Sequence, residues 1–402
     1  MKKLLYIIYF LLRFQGSFAT PTKDQIDAFI QENRNFSLSL YDQLDQNQNI
    51  IFSPYSLFSC LSMAYVGARE ETANEIEKVL SLTASQQKSA SLSFALQKLL
   101  ASKKEEVQLT IANGLWVAKD SFILSDYRHK LQEDFSAQVD ALDFQKNEEA
   151  VQIINEWTSN TTQGLIPKLL ESEDVNPFTR IILTNALYFK GNWAHPFDPQ
   201  KTLPTKFYPT PETHYMVPMM EQSTTLAYFE NDLVQMIALP FQEVHPKNSQ
   251  FACLLLLPQE EISFAEIKEE LTSQALRAWI AGLKPTSMQI KIPRFALSGH
   301  YDLNEPLKQM GMQLAFTEKA NFSGIDGMRD LFIHKIIHAA YFSLNEIGVT
   351  ASAATAASIG VTSAPPKKSK PFIANKPFLF FIIDMDSALP IFMGKLIEPK
   401  NC

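Results

Sequence analysis

The chain has 402 residues, 46% of them hydrophobic and 20% charged, which excludes disorder as the default state and supplies enough apolar surface for a large core. Its net charge of −7 argues against generic nucleic-acid binding. Cys60, Cys253 and Cys402 are too few for a disulfide scaffold, so packing must hold the fold.

Residues 1–19 read as a secretory signal, with Lys2 and Lys3 at the charged start, an apolar run over 4–12, and Ser17-Phe18-Ala19 as a small-x-small cleavage site. That run is too short to span a bilayer. An uncleaved signal acting as an anchor is the weaker alternative, because Arg13 sits close behind the run. Cleavage would remove Lys2, Lys3 and Arg13 and move the net charge from −7 to −10. No internal period, long charge run or Gly/Ser linker interrupts 20–402, which predicts one domain.

The spacing of Ile26, Phe29, Ile30, Phe36, Leu40 and Leu44 predicts an amphipathic helix over 24–44. A second helix is expected after Ser53-Pro54, with the serine as cap and the proline in the first turn. Further helices are predicted over 73–80, 89–101, 126–135 and 148–170. The second half changes character: 178–190, 226–239, 251–257, 288–297, 332–344, 371–384 and 389–396 are rich in β-branched and aromatic residues and read as strands. The class is therefore α+β with large sheets. Cys60 and Cys253 lie inside apolar runs, where a small buried hydrophobe is the expected role. Cys402, the last residue given, could pair between chains. Sequons stand at Asn35, Asn160 and Asn321.

Between the strands ending near Glu346 and starting near Pro371 lies a stretch, 348–366, with no charge and almost no large side chain. Connections this long inside a compact domain are usually functional or disordered. Here Val349, Ala351, Ala353, Thr355, Ala357 and Ile359 fall on one face of an extended chain, and Thr350, Ser352, Ala354, Ala356 and Ser358 on the other. A flexible linker or O-glycosylated stalk is the plainer alternative. A stalk has little reason to precede strands that are core, so the segment reads as a tethered substrate that can become a strand.

Asn345-Glu346-Ile347-Gly348-Val349-Thr350-Ala351-Ser352-Ala353-Ala354 resembles the hinge of the serpins, a Glu ahead of a Gly and then small residues. The stretches 51–56 (IFSPYS), 183–193 (LTNALYFKGNW), 217–220 (VPMM), 295–303 with its Tyr301-Asp302-Leu303, 375–378 (NKPF) and 392–394 (FMG) are similar to serpin signatures and stand in serpin order. The resemblance implies a metastable fold of three β-sheets and eight or nine helices with an exposed reactive-centre loop, about 347–366. It implies a single-use inhibitor: a serine protease attacks the loop and forms an acyl-enzyme, and the cut loop inserts into the large sheet. By the family's spacing the scissile bond lies between Thr362 and Ser363. Glu346, Gly348, Val349, Thr350, Ala351, Ser352, Ala353 and Ala354 would form the hinge. Ser53, Ser56, Asn185 and His334 would form the shutter where the sheet parts. Trp193 would mark the breach, with Glu346 pairing with Arg294. Val349 in place of the family's frequent threonine, Ile347 in place of a polar residue, and Gly360 are departures; Val349 is uncharged and permissive.

Ile359, Val361, Thr362 and Ser363 offer no basic or aromatic side chain to a deep specificity pocket, so an elastase-like protease is the expected covalent partner and a chymotrypsin-like one the weaker choice. The main alternative is a non-inhibitory serpin acting as a carrier, storage protein or chaperone. A hydrolase is disfavoured, since the chain has no G-x-S-x-G elbow, no H-E-x-x-H helix and no P-loop. His195, His214 and His245 lack metal-ligand spacing, and no cofactor or metal is expected. The 89–104 stretch is too poor in basic residues to predict polyanion activation. Lys367, Lys368 and Lys370 form either a solvated cluster, the plainer reading, or an exosite contact. The expected product is a secreted, extracellular monomer that binds neither nucleic acid nor membrane.

Overall fold

A computed structural model describes residues 20–44, 47–101, 107–242, 251–350 and 369–399. The expected signal, Ala351, Ser352, Ala353 and Ala354 of the hinge, Thr362 and Ser363, Lys367 and Lys368, and Cys402 lie outside the described residues.

Ten α-helices occur among the described residues: α1 (Lys23–Gln43), α2 (Pro54–Gly67), α3 (Glu70–Val79), α4 (Gln86–Ala101), α5 (Ser125–Phe135), α6 (Asn147–Thr161), α7 (Phe264–Glu270), α8 (Ser273–Ala281), α9 (Asn304–Gln309) and α10 (Ser323–Asp326). The strands are β1 (Ile50–Phe52), β2 (Val107–Ala118), β3 (Gln138–Leu142), β4 (Ile181–Asn192), β5 (Leu203–Thr210), β6 (Thr213–Glu230), β7 (Val234–Pro240), β8 (Phe251–Pro258), β9 (Lys284–Pro293), β10 (Phe295–Asp302), β11 (Ile333–Leu344), β12 (Gly348–Val349), β13 (Lys370–Ile373), β14 (Phe378–Asp384) and β15 (Leu389–Leu396). The class is α+β, as the sequence predicts.

The sheets form two hydrogen-bonded networks. One runs β10-β11-β12-β4-β2-β3. The other runs β1-β15-β14-β8-β7-β6-β9-β13, with β5 also paired to β6; along β6, β5 pairs with Thr213 to Met219, β9 with Met219 to Tyr228 and β7 with Ala227 to Glu230. Two of the three sheets implied by the resemblance thus share one long strand, β6.

Helix α2 is apolar almost all round and is correspondingly buried, as a helix threaded through the core must be. Ser53 caps it by accepting from the Ser56 N–H, with Pro54 in its first turn. It packs beneath the six-stranded sheet, while α6 covers the other face through a second core cluster with Trp116 against Trp157. Helix α6 is expected to reach residue 170 but stops at Thr161, where Gln163 and Gly164 take positive φ and turn the chain into a connector back to β4. The expected strand over 226–239 is two strands around a turn, and that over 288–297 is split at Arg294.

Candidate functional site

The site lies where β11 and β4 meet. From Ile333 opposite Ile181 to Ala340 opposite Leu187 the two pair directly and in parallel. Above that they part, and β12 fills the gap antiparallel to both, with Val349 opposite Leu344 on one side and Gly191 on the other. The chain reverses from β11 into β12 within Asn345-Glu346-Ile347. Asn345 drives the turn: its Oδ1 accepts from the Ile347 N–H at 2.9 Å and the Gly348 N–H at 3.2 Å.

Gly348 is required by space, since a Cβ there would meet the Gly191 carbonyl oxygen at 2.0 Å and no side chain could move aside. Val349 is fully buried, as its place on the inward face predicts. Among the described residues, pairing with β4 ends there. Thr350 sits at φ 52°, a costly conformation for a β-branched residue, and its N–H donates to the Ser343 carbonyl at 2.5 Å. The sequence pattern turns Thr350 toward solvent, whereas the structure half-buries it and leaves its hydroxyl oxygen buried without a partner. The local bend overrides strand alternation.

The top of the gap is tied by Trp193, which stacks on Phe241 with ring centroids 5.0 Å apart. Its Nε1 donates to the Asn345 carbonyl at 2.8 Å, and its backbone N–H to the Ile347 carbonyl at 2.7 Å. Glu346 is buried; its Oε1 accepts from the Thr202 hydroxyl at 2.8 Å and lies 3.5 Å from Arg294 Nη1. The expected pairing of Glu346 with Arg294 is thus made, with Trp193 alongside.

Lower down, a polar network crosses the core beneath the β11/β4 seam. Asn185 on β4 donates through Nδ2 to the Ser56 carbonyl at 3.1 Å, to the Ser56 hydroxyl oxygen, and to Asn113 Oδ1 at 2.7 Å. The Ser53 hydroxyl donates to the Ile391 carbonyl at 2.7 Å. The imidazole that joins this network is His338, not His334. His338 Nε2 accepts from the Ser53 N–H at 3.0 Å, so the proton sits on Nδ1, which donates to Asn185 Oδ1 at 2.7 Å. Complete burial pushes the His338 pKa down to about 3 and holds the ring neutral. His334 lies four residues away, roughly 13 Å along the strand, and contacts Asn176 instead, Nε2 to Nδ2 at 3.3 Å. Asn113 and Thr202 escape notice in the sequence; the available signal for His338 was a polar residue among the apolar even positions of its strand.

Burial pushes the Cys60 thiol up to about 12 and raises that of Cys253 as well, so neither is reactive. Lys370, considered as an exosite contact, is ion-paired with Glu230 and lies over the Tyr228 ring. Of the sequons, Asn160 is exposed at the last turn of α6, Asn35 is half-buried in the middle of α1, and Asn321 is buried, its N–H donating to the Thr72 hydroxyl at 2.9 Å. No group of three or more potential metal ligands and no helix long and apolar enough to cross a membrane occurs among the described residues.

The family profile "Serpin (serine protease inhibitor)" matches residues 31–399. Intracellular coagulation inhibitor 1 of Tachypleus tridentatus is 36% identical over 90% of this chain and 87% of that protein. Human alpha-1-antichymotrypsin is 31% identical over 92% of this chain and 88% of that protein. Among solved structures, Serpin48 of the insect Tenebrio molitor superposes with a TM-score of 0.83 at 26% identity, covering 94% of this chain and 99% of that one. Human thyroxine-binding globulin, crystallised with thyroxine, gives the same TM-score and identity over 93% and 99%. The chain belongs to the serpin family, whose members are mostly protease inhibitors rather than catalytic enzymes.

Proposed function

We propose that this serpin is inhibitory and acts as a suicide substrate: a serine protease cleaves between Thr362 and Ser363, and the freed strand enters the β11/β4 seam before the acyl-enzyme hydrolyses. The observation that carries this reading is the seating of Gly348 and Val349 between β11 and β4, antiparallel to both, with an uncharged side chain at the buried position. That pairing gives a cut loop a template on which to add residue by residue. The small, uncharged residues before Ser363 favour an elastase-like target. Incubation with a panel of serine proteases tests the reading. A covalent complex on a denaturing gel with the elastase-like enzyme, and a released peptide beginning at Ser363, are expected; cleavage with no complex would instead place this chain with carrier or storage serpins.

The 1–19 segment supports secretion, and relatives named as intracellular make the compartment a point to test. Expression in a eukaryotic secretory host should release protein beginning at Thr20. Enzymatic deglycosylation should remove one glycan, at Asn160, because Asn321 is buried in the fold and Asn35 is half-buried in a helix. Retention in the cell, or a glycan at Asn321, would contradict this.

A further inference from the structure

The β11–β4 pairing slips between Ile333 and Lys335, so His334 forms a bulge at the lower end of the seam. Beside it, Lys335 Nζ lies 2.5 Å from Asp174 Oδ1 and 3.0 Å from Asp302 Oδ2. Asp302 ends β10 and pairs with β11, so it belongs to the same side of the seam as Lys335. Asp174 belongs to the other side: it sits in the connector that leaves α6 and runs into β4. His334 Nε2 and Asn176 Nδ2, 3.3 Å apart, make a second tie from β11 to that connector. Both ends are fixed. Asn304 holds the bulge by donating to the His334 carbonyl at 2.8 Å and accepting from the Ile336 N–H at 3.0 Å. The connector is closed just ahead of β4 by the Asn176 N–H donating to the Thr179 hydroxyl and the Phe178 N–H to Asn176 Oδ1.

A strand entering between β11 and β4 takes their spacing from about 4.8 Å to about 9.6 Å. An ion pair of 2.5 Å across the seam cannot survive that widening unless the connector comes away from β4. The pair is worth breaking with care, because its side chains are only 23% and 14% exposed and water screens it poorly. Burial pushes the Asp174 carboxyl up, and the hydrogen bonds from Lys335 and the Glu171 N–H, together with the Lys335 charge, outweigh it and hold the carboxyl below the ordinary carboxylate value.

We propose that Lys335, through Asp174 and with His334–Asn176 beside it, latches the lower seam between β11 and β4, and that release of this latch sets the rate at which the cleaved loop inserts. The proposal rests on the inhibitory reading above and assigns Lys335 as a positioning residue for trapping. In the intact protein the latch keeps the lower seam shut while β12 holds the upper seam open, so insertion proceeds from the top and meets the latch last.

The test is rapid mixing of the intact protein with a protease that cuts the loop, with protease raised until the observed rate no longer depends on it, and intrinsic tryptophan fluorescence as the readout. Lys335→Met, which keeps the aliphatic stem, and Asp174→Asn should each raise the plateau rate about three- to tenfold. The double variant should be no faster than the faster single one. Lys119→Met, which removes an exposed pair with Asp143 away from the seam, should leave the rate unchanged. Asp174→Asn serves if Lys335→Met folds poorly, as judged by thermal unfolding before cleavage. Plateau rates equal to wild type, or additive effects in the double variant, overturn the latch. A wild-type protein that shows no fluorescence phase and no gain in stability on cleavage overturns the inhibitory reading and the latch together, a result distinct from wild-type insertion at unaltered rates in the variants.

Discussion

Val349 has no route to solvent: it is fully buried between β11 and β4, with Gly348 beside it pressed on the Gly191 carbonyl. An arginine at 349 must either bury its charge without a partner, at a cost of several kcal/mol even after relaxation, or expel the hinge. Both outcomes slow insertion, and a trap that inserts more slowly than its acyl-enzyme hydrolyses becomes a substrate. Val349→Arg should therefore raise the moles of inhibitor consumed per mole of protease silenced by about tenfold or more, whereas Thr350→Arg should change that ratio much less. Thr350 is only half-buried at the bend, so its arginine can swing outward with some loss of native stability. Equal ratios for the two variants would show that the seating of β12 does not govern insertion. At this scale the sequence was legible where local pattern decides the geometry: Val349 turns inward and Arg294 meets Glu346. It was illegible for His338, because His334 and His338 occupy like positions of one strand, and only the level of Ser53 in the folded core decides between them.

At the scale of elements, His338 joins β11 to β4 through Asn185 and to the start of α2 through Ser53, so one imidazole holds three elements in register. Its pKa is lowered to about 3 by burial, against 6.5 ordinarily. Between those values the unfolded chain binds a proton that the folded protein refuses, so stability falls as pH drops from about 6.5 toward about 3 and levels off below. The single site should cost about 2 kcal/mol on going from pH 7 to pH 5. Denaturant unfolding at both values measures it, and His338→Gln should lose that part of the pH dependence while being less stable at pH 7. A variant with an unaltered pH dependence would place the titrating group elsewhere. Sequence pattern found α1 to α6, yet passed over α7 and α8, whose starts Ser263 and Thr272 cap, and passed over β2. That strand carries Asn113-Gly114, which locally signals a turn. In the fold Asn113 pairs with Asn185, and a Cβ on residue 114 would meet the Thr184 hydroxyl at 2.4 Å, so both residues answer to the neighbouring strand rather than to their own segment.

At the scale of the whole molecule, the six-stranded network is antiparallel but for two parallel pairs, β2 with β3 at its edge and β11 with β4 in its middle, where the seam lies. Parallel pairing is slightly weaker per residue, and a strand inserted there would exchange it for antiparallel pairing on both sides. Continuing the β12 register down β4, in which Val349 faces Gly191, would bring Ile359 level with Ile181, the end of the strand. The inward positions on that path are Ala351, Ala353, Thr355, Ala357 and Ile359, small enough to enter a seam that already rests on a packed core. Each added residue contributes about 1 kcal/mol of net backbone hydrogen bonding together with burial, against the entropy of ordering it. The sum favours the inserted state by an amount that should move the thermal midpoint of a chain this long upward by about 10 °C or more. Comparing thermal unfolding before and after a single cut in 351–363 measures the shift. An unchanged or lower midpoint would mean that the cut segment stays out of the seam, and that the seated Gly348 and Val349 are the end of the strand rather than its beginning.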